Sequence, residues 1–242
     1  MTEILQAALP DAAHERRPLP NVTPIALDDW LVTDEAFAAQ MARRDTLVTT
    51  RREAVIALLP EAHDAAAELL ETVLTQLSAQ ADYKVSDTDV LRPDGVRITL
   101  NSADPLGTLG RLIQEDLCLL QKRGTEHVLV GAVLCFPASW RLSDKIGRPL
   151  TTIHAPITEY DTGVARRVQR LFDGVRAGRP LRRQNLLTYA DPELHQPYEK
   201  APVTEDHAPY LRSERQVVLR LPRTRAVVFS IHSYVVRNRD TA

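Results

Sequence analysis

The sequence predicts an α+β fold with a helical N-terminal half and a C-terminal half dominated by antiparallel strands. Three observations carry this. EAHDAAAELLETVLTQL is rich in Ala, Leu and Glu and places its apolar residues at helical spacing. HVLVGAVLCFP is a continuous apolar run bounded by turn signals, the pattern of a buried strand. RSERQVVLRLP and RAVVFSIHSYVVR are strand-like runs separated only by Arg223-Thr224. That gap leaves no room for a crossover helix, so the two runs pair as a hairpin.

The elements follow in order. Residues 1–26 are rich in Pro and polar side chains and read as an extended lead-in, leaving 27–242 as a single domain. From Asp28 to Leu59 the pattern is helical, with Trp30, Phe37 and Met41 as apolar positions and Pro60 as the stop. Residues 82–104 read as a hairpin or loop that turns at Pro93-Asp94-Gly95. DPLGTLGRLIQEDLCLLQ predicts another helix, burying Leu109, Leu112, Ile113, Leu117 and Leu120 on one face. After the HVLVGAVLCFP strand, SWRLSDKIG predicts a short helix stopped by Gly147. TGVARRVQRLFDGVR predicts a longer one with Val164, Val168, Leu171 and Phe172 in a stripe, and RRQNLLTYA a strand.

Bulk properties narrow the function. Lys and Arg total 30 against 32 Asp and Glu, a net charge of -2, which argues against a nucleic-acid partner. No segment approaches the ~20 apolar residues of a membrane span, and MTEILQAALPDAAHERR lacks the apolar core of a signal peptide. A cytoplasmic protein with no membrane partner is expected. Two cysteines, Cys118 and Cys135, provide no disulfide framework and no four-cysteine cluster. The chain also has no GxGxxG dinucleotide fingerprint.

The segments VLVGAVLCFPASWRLSDKIGRPLTTIHAPI, RRVQRLFDGVRAGRPLRRQN and YLRSERQVVLRLPRTRAVVFSIHSYVV resemble, in that order, the haem-dependent oxidative N-demethylase family. The resemblance runs from about Pro24 to Arg237. It implies a PAS-like antiparallel sheet with flanking helices and an N-terminal helical layer. It also implies haem b, dioxygen and a small methylated amine that releases formaldehyde. With no reductase fingerprint in the chain, electrons must come from a separate electron-transfer or reductase protein, and an oligomer is compatible with such a system. Two other readings stay open: a PAS-like haem or small-molecule sensor without turnover, and an interaction subunit that has lost its cofactor.

Haem iron needs an axial ligand, and seven histidines compete. His14, His63, His127, His195 and His207 read as solvated. His154 follows an apolar segment, and Pro156 restricts the backbone beside it, so it is the favoured ligand. His232 is the rival, since alternation puts it with Val228, Ser230 and Tyr234, opposite Val227, Phe229, Ile231 and Val235. Cys135 lies in an apolar run and reads as core. In RSERQ, Arg212, Glu214 and Gln216 share one strand face while Ser213 and Arg215 share the other. Glu214 facing a pocket is the candidate acid/base group or partner of a cationic amine. Arg215 is the companion candidate at the catalytic or anchoring site. Arg148, Arg166, Arg167 and Arg212 are candidates for the haem propionates, because guanidinium grips carboxylate in a two-pronged way. Glu115 and Asp116 fall on opposite sides of the IQEDL helix, so one of them is a candidate buried acceptor, with no catalytic role forced on either.

Overall fold

A computed structural model describes residues 3–14, 21–155, 162–198, 203–204 and 207–238. The side chain of His14 and the residues Pro156 and Ile157 of IHAPI lie outside that set. In chain order the strands and α-helices are β1 (Thr23–Pro24), α1 (Phe37–Thr50), α2 (Arg52–Val55), β2 (Ile56–Leu58), α3 (His63–Ser78), β3 (Lys84–Val85), β4 (Asp89–Leu91), β5 (Arg97–Thr99), α4 (Pro105–Gly110), β6 (Asp116–Arg123), β7 (Glu126–Val133), α5 (Leu142–Lys145), α6 (Leu150–His154), α7 (Thr162–Gly174), β8 (Leu181–Gln184), β9 (Leu187–Tyr189), β10 (Tyr210–Arg220) and β11 (Val227–Arg237). This is the α+β class that the sequence predicts.

The main sheet runs in the order β1-β8-β10-β11-β6-β7-β2, with β9 added beside β10, and each neighbouring pair of these strands is antiparallel. Its spine is the β10–β11 hairpin, paired from Tyr210↔Arg237 to Arg220↔Val227. Both faces are covered. On one, Trp30, Phe37, Met41, Leu69 and Val73 pack with Leu117, Leu119, Val217 and Val228. On the other, Leu142, Leu150, Phe172 and Val175 pack with Cys118, Leu120, Val218 and Val227, and Ile153, Val168 and Phe229 join them. These are called below the N-terminal face and the α7 face. A separate β3-β4-β5 meander forms where residues 82–104 predict a hairpin, and Gly95 takes φ +80 at its turn, which a side chain would resist.

Two predicted helices are shorter than their patterns. The helix expected from Asp28 starts only at Phe37, because Trp30 and Leu31 are buried in a connection whose Val32 and Asp34 N–H groups are tied by side chains from Glu115 and Gln114. Before Pro60 the chain has already turned into β2. The DPLGTLGRLIQEDLCLLQ helix is also corrected. Asp104 caps α4 by accepting from the Gly107 N–H at 3.1 Å, but the helix stops at Gly110 and the chain becomes β6. RRQNLLTYA is interrupted too, forming β8 and β9.

The tip of the β10–β11 hairpin is held from the opposite layer. Glu68 of α3 accepts the backbone N–H groups of Arg223 and Thr224, each at 2.7 Å. Its carboxylate is buried at the loop, so Glu68→Ala orphans two donors and should cost about 1–3 kcal/mol in denaturant unfolding, with an unchanged m-value. Glu71→Ala, which removes only an exposed partner of Arg223, should cost under about 1 kcal/mol.

Candidate functional site

Alternation along β10 and β11, fixed by their register, sorts the candidate residues between the two faces. Arg215 and His232 are cross-strand partners on the N-terminal face. Arg212, Glu214 and Gln216 lie on the α7 face, as the alternation in RSERQ predicts.

His154 ends α6, whose Leu150 and Ile153 pack on the α7 face. Its Nδ1 lies 2.9 Å from the Leu150 carbonyl oxygen. A carbonyl only accepts, so Nδ1 carries the proton and Nε2 the lone pair. Burial lowers the imidazole pKa against the raising effect of that bond, and the charges of Lys145 and Arg183 lower it further. A neutral ring oriented through Nδ1 by a backbone carbonyl is the form a histidine metal ligand commonly takes.

Glu214 is buried and held on several sides. Asn185 donates from Nδ2 to Oε2 at 3.1 Å and accepts the Glu214 N–H at 2.7 Å, while Gln216 Nε2 donates to Oε2 at 2.9 Å. Arg212 lies 3.4 Å from Oε1. Arg212 also donates to the carbonyls of Phe136 and Leu194 and the hydroxyl of Ser233, with its guanidinium over the Tyr189 ring, while its Nε is sealed without a partner among the described residues. The Gln216 amide is oriented by its bond to Glu214, which leaves Oε1 sealed from solvent with no hydrogen-bond partner among the described residues.

The other candidates are placed differently. Both His232 ring nitrogens meet carboxylates, Nε2 at 3.1 Å from Asp34 and Nδ1 at 3.2 Å from Glu115, so neither is turned toward the α7 face. Arg215 donates to the carbonyls of Trp30 and Asp29. Arg148, Arg166 and Arg167 are exposed. Cys135 is buried just beyond β7, and desolvation pushes its thiol up to about 12 despite the nearby Arg44, the wrong direction for a thiolate ligand. His127 and His195 are buried rather than solvated. His127 bonds Gln169 through Nδ1 at 3.0 Å, and His195 donates through Nδ1 to the Cys135 carbonyl at 2.8 Å.

The family model for haem-dependent oxidative N-demethylase, alpha subunit-like, matches residues 21–242. The chain belongs to this family. The match covers both layers and the whole sheet, so the α7 face and the N-terminal face are both parts of the N-demethylase-like unit.

Haem dependence is part of that family description, and the residues on the α7 face fit such a group. His154 has the required tautomer, and its helix packs Leu150 and Ile153 into the apolar cluster of this face. Gln216 Oε1 and Arg183 Nε on the same face are sealed without partners among the described residues, as is Arg212 Nε. Arg183, Gln216 and Asn185 were not singled out from sequence. The available signal was the adjacent Arg182-Arg183 in RRQN, which puts one arginine on each strand face, but only the β8–β10 register shows which one faces His154. Among the described residues no cluster of three His, Cys, Asp or Glu side chains could hold a metal ion, and no helix is long and apolar enough to cross a membrane.

Proposed function

We propose that the chain is a PAS-like, haem b-dependent monooxygenase that removes a methyl group from a small N-methylated amine. The observation that carries this is the neutral His154 imidazole, oriented by Leu150 above a sheet face that also holds Glu214. Bound haem would supply dioxygen activation. His154 would hold the iron, with its ring fixed by the Leu150 carbonyl. Glu214, buried and oriented by Asn185 and Gln216, supplies negative charge for an amine, and the Gln216 Oε1 acceptor suits an amine N–H. Glu214 also holds a carboxylate where a proton can be taken up or released. The overall balance puts one oxygen atom into a methyl C–H bond. The other leaves as water after two electrons and two protons arrive, and the resulting hemiaminal splits into formaldehyde and the demethylated amine. The electrons come from a separate reductase protein, and we place the reaction in the cytoplasm within residues 27–242 as one domain.

Full-length protein produced with haem supply should show a Soret band and release formaldehyde from a methylated amine when given dioxygen and an electron donor. His154→Ala should abolish or strongly shift the Soret band, whereas His232→Ala should leave iron coordination intact. Haem binding without formaldehyde from any methylated amine would favour a sensor, and an absence of haem would sink the proposal.

A further inference from the structure

The described buried arginines are held by carbonyls or carboxylates, although Arg212 Nε is itself sealed without a partner. Arg44 is bonded to Asp116 and three carbonyls, and Arg92 to Asp94, Asp45 and the Arg111 carbonyl. Arg212, Arg215 and Arg220 are each bonded to backbone carbonyls. Arg183 departs from this. It lies in β8 directly across from Gln216, on the face that carries His154 and Glu214. Its Nε is sealed from solvent without a partner, and among the described residues its guanidinium makes no hydrogen bond or ion pair. Burial holds its pKa below the usual arginine value, with the Glu214 charge opposing. Arg182 shares the sealed Nε but belongs to the opposite face, beside Arg215. The sealed Nε of the half-buried Arg183 guanidinium is left without an acceptor, a cost that an anion on the same face would offset.

We propose that Arg183 anchors a carboxylate carried by the occupant of the α7 face. The proposal rests on the haem reading above for the identity of the carrier, which is either the cofactor, through a propionate, or a substrate that is an N-methylated amino acid. Both present the planar, two-oxygen acceptor that a guanidinium grips.

The test compares the full chain with Arg183→Met and Arg183→Lys. Ferric protoporphyrin IX and its dimethyl ester, in which both carboxylates are masked, are titrated into each haem-free protein. Wild type should bind the free acid at least about tenfold more tightly than the ester, and R183M should bind both alike, with R183K between. That result assigns the carboxylate to the cofactor. If R183M keeps the porphyrin preference but loses the Soret perturbation by N-methylglycine while keeping that by dimethylamine, the carboxylate belongs to the substrate. Retention of both discriminations in R183M overturns the proposal. Uptake of neither porphyrin by wild type would sink the haem reading, and Arg183 would then be judged on thermal unfolding of the empty protein. There a higher melting temperature for R183M supports an uncompensated charge, and a lower one overturns it.

Discussion

Asp116→Ala should destabilise the protein by about 3–5 kcal/mol, the largest single-residue effect expected outside the candidate site. Asp116 opens β6, and its carboxylate is 1 % exposed. Oδ1 accepts from Arg44 and from the Cys135 N–H, both at 2.7 Å, and Oδ2 accepts the Phe136 N–H at 2.7 Å. One side chain therefore ties α1 to the sheet and fixes the chain as it leaves β7. Removing it orphans two buried N–H groups and leaves the Arg44 guanidinium without its counter-charge. Arg44 keeps the carbonyls of Gly110, Gln114 and Glu115, which soften the loss but supply only partial charge. Guanidinium chloride unfolding would show the effect as a lower midpoint at constant m-value. A cycle with Arg44→Met should show strong coupling, because the second substitution removes the stranded charge. Additive losses, or a cost below about 1 kcal/mol, would mean that the pair is not a principal tie between the layers.

The same region shows what the sequence could and could not disclose. Leu109, Leu112, Ile113, Leu117 and Leu120 satisfy helical spacing, yet β6 is a central strand covered on both faces. In such a strand apolar residues appear at every position, and a helical stripe can be picked out of them by chance. Glu115 and Asp116 were the contrary signal, since two adjacent acids inside an apolar run need buried partners. Those partners, Arg44 for Asp116 and the Val32 N–H and His232 for Glu115, come from distant parts of the chain. The β10–β11 hairpin, by contrast, was legible because its strands are adjacent and its turn is short, and the sorting of RSERQ onto two faces follows from that. His154 stood out because its apolar approach is local. Arg183 did not, because its meaning depends on pairing with Gln216, more than thirty positions later.

Stability should also fall as the pH rises through the alkaline range, and His232 sets where. The ring is fully buried between Asp34 and Glu115, with Tyr234 against it at 4.7 Å between ring centres and Arg215 across the strand pair. Burial alone would push the imidazole pKa down. The hydrogen bonds and charges of Asp34 and Glu115 overcome it and hold the pKa at about 9, above the ordinary imidazole value of 6.5. The folded state therefore binds the proton more tightly than the unfolded chain. This contribution is fully present below about pH 6.5 and is lost as the pH rises through about 9. Its size is on the order of 3 kcal/mol. Tyr234 is pushed up to about 12, mainly by burial, so it stays neutral across this window. Asp34 acts in the opposite direction. His232 overcomes its burial and lowers its pKa to about 2, so its contribution is lost only as the pH falls from about 3.8 through about 2. Denaturant unfolding of the wild type at pH 6, 8 and 10 should show a progressive loss that His232→Gln largely removes, the variant being weaker at pH 6 and nearer the wild type at pH 10. Parallel pH profiles for the two proteins would mean that the imidazole is neutral in the fold. Because the triad belongs to the N-terminal face, the Soret band of His232→Gln should match that of the wild type at every pH where the variant is folded. Loss of stability and loss of the iron ligand are thereby separable.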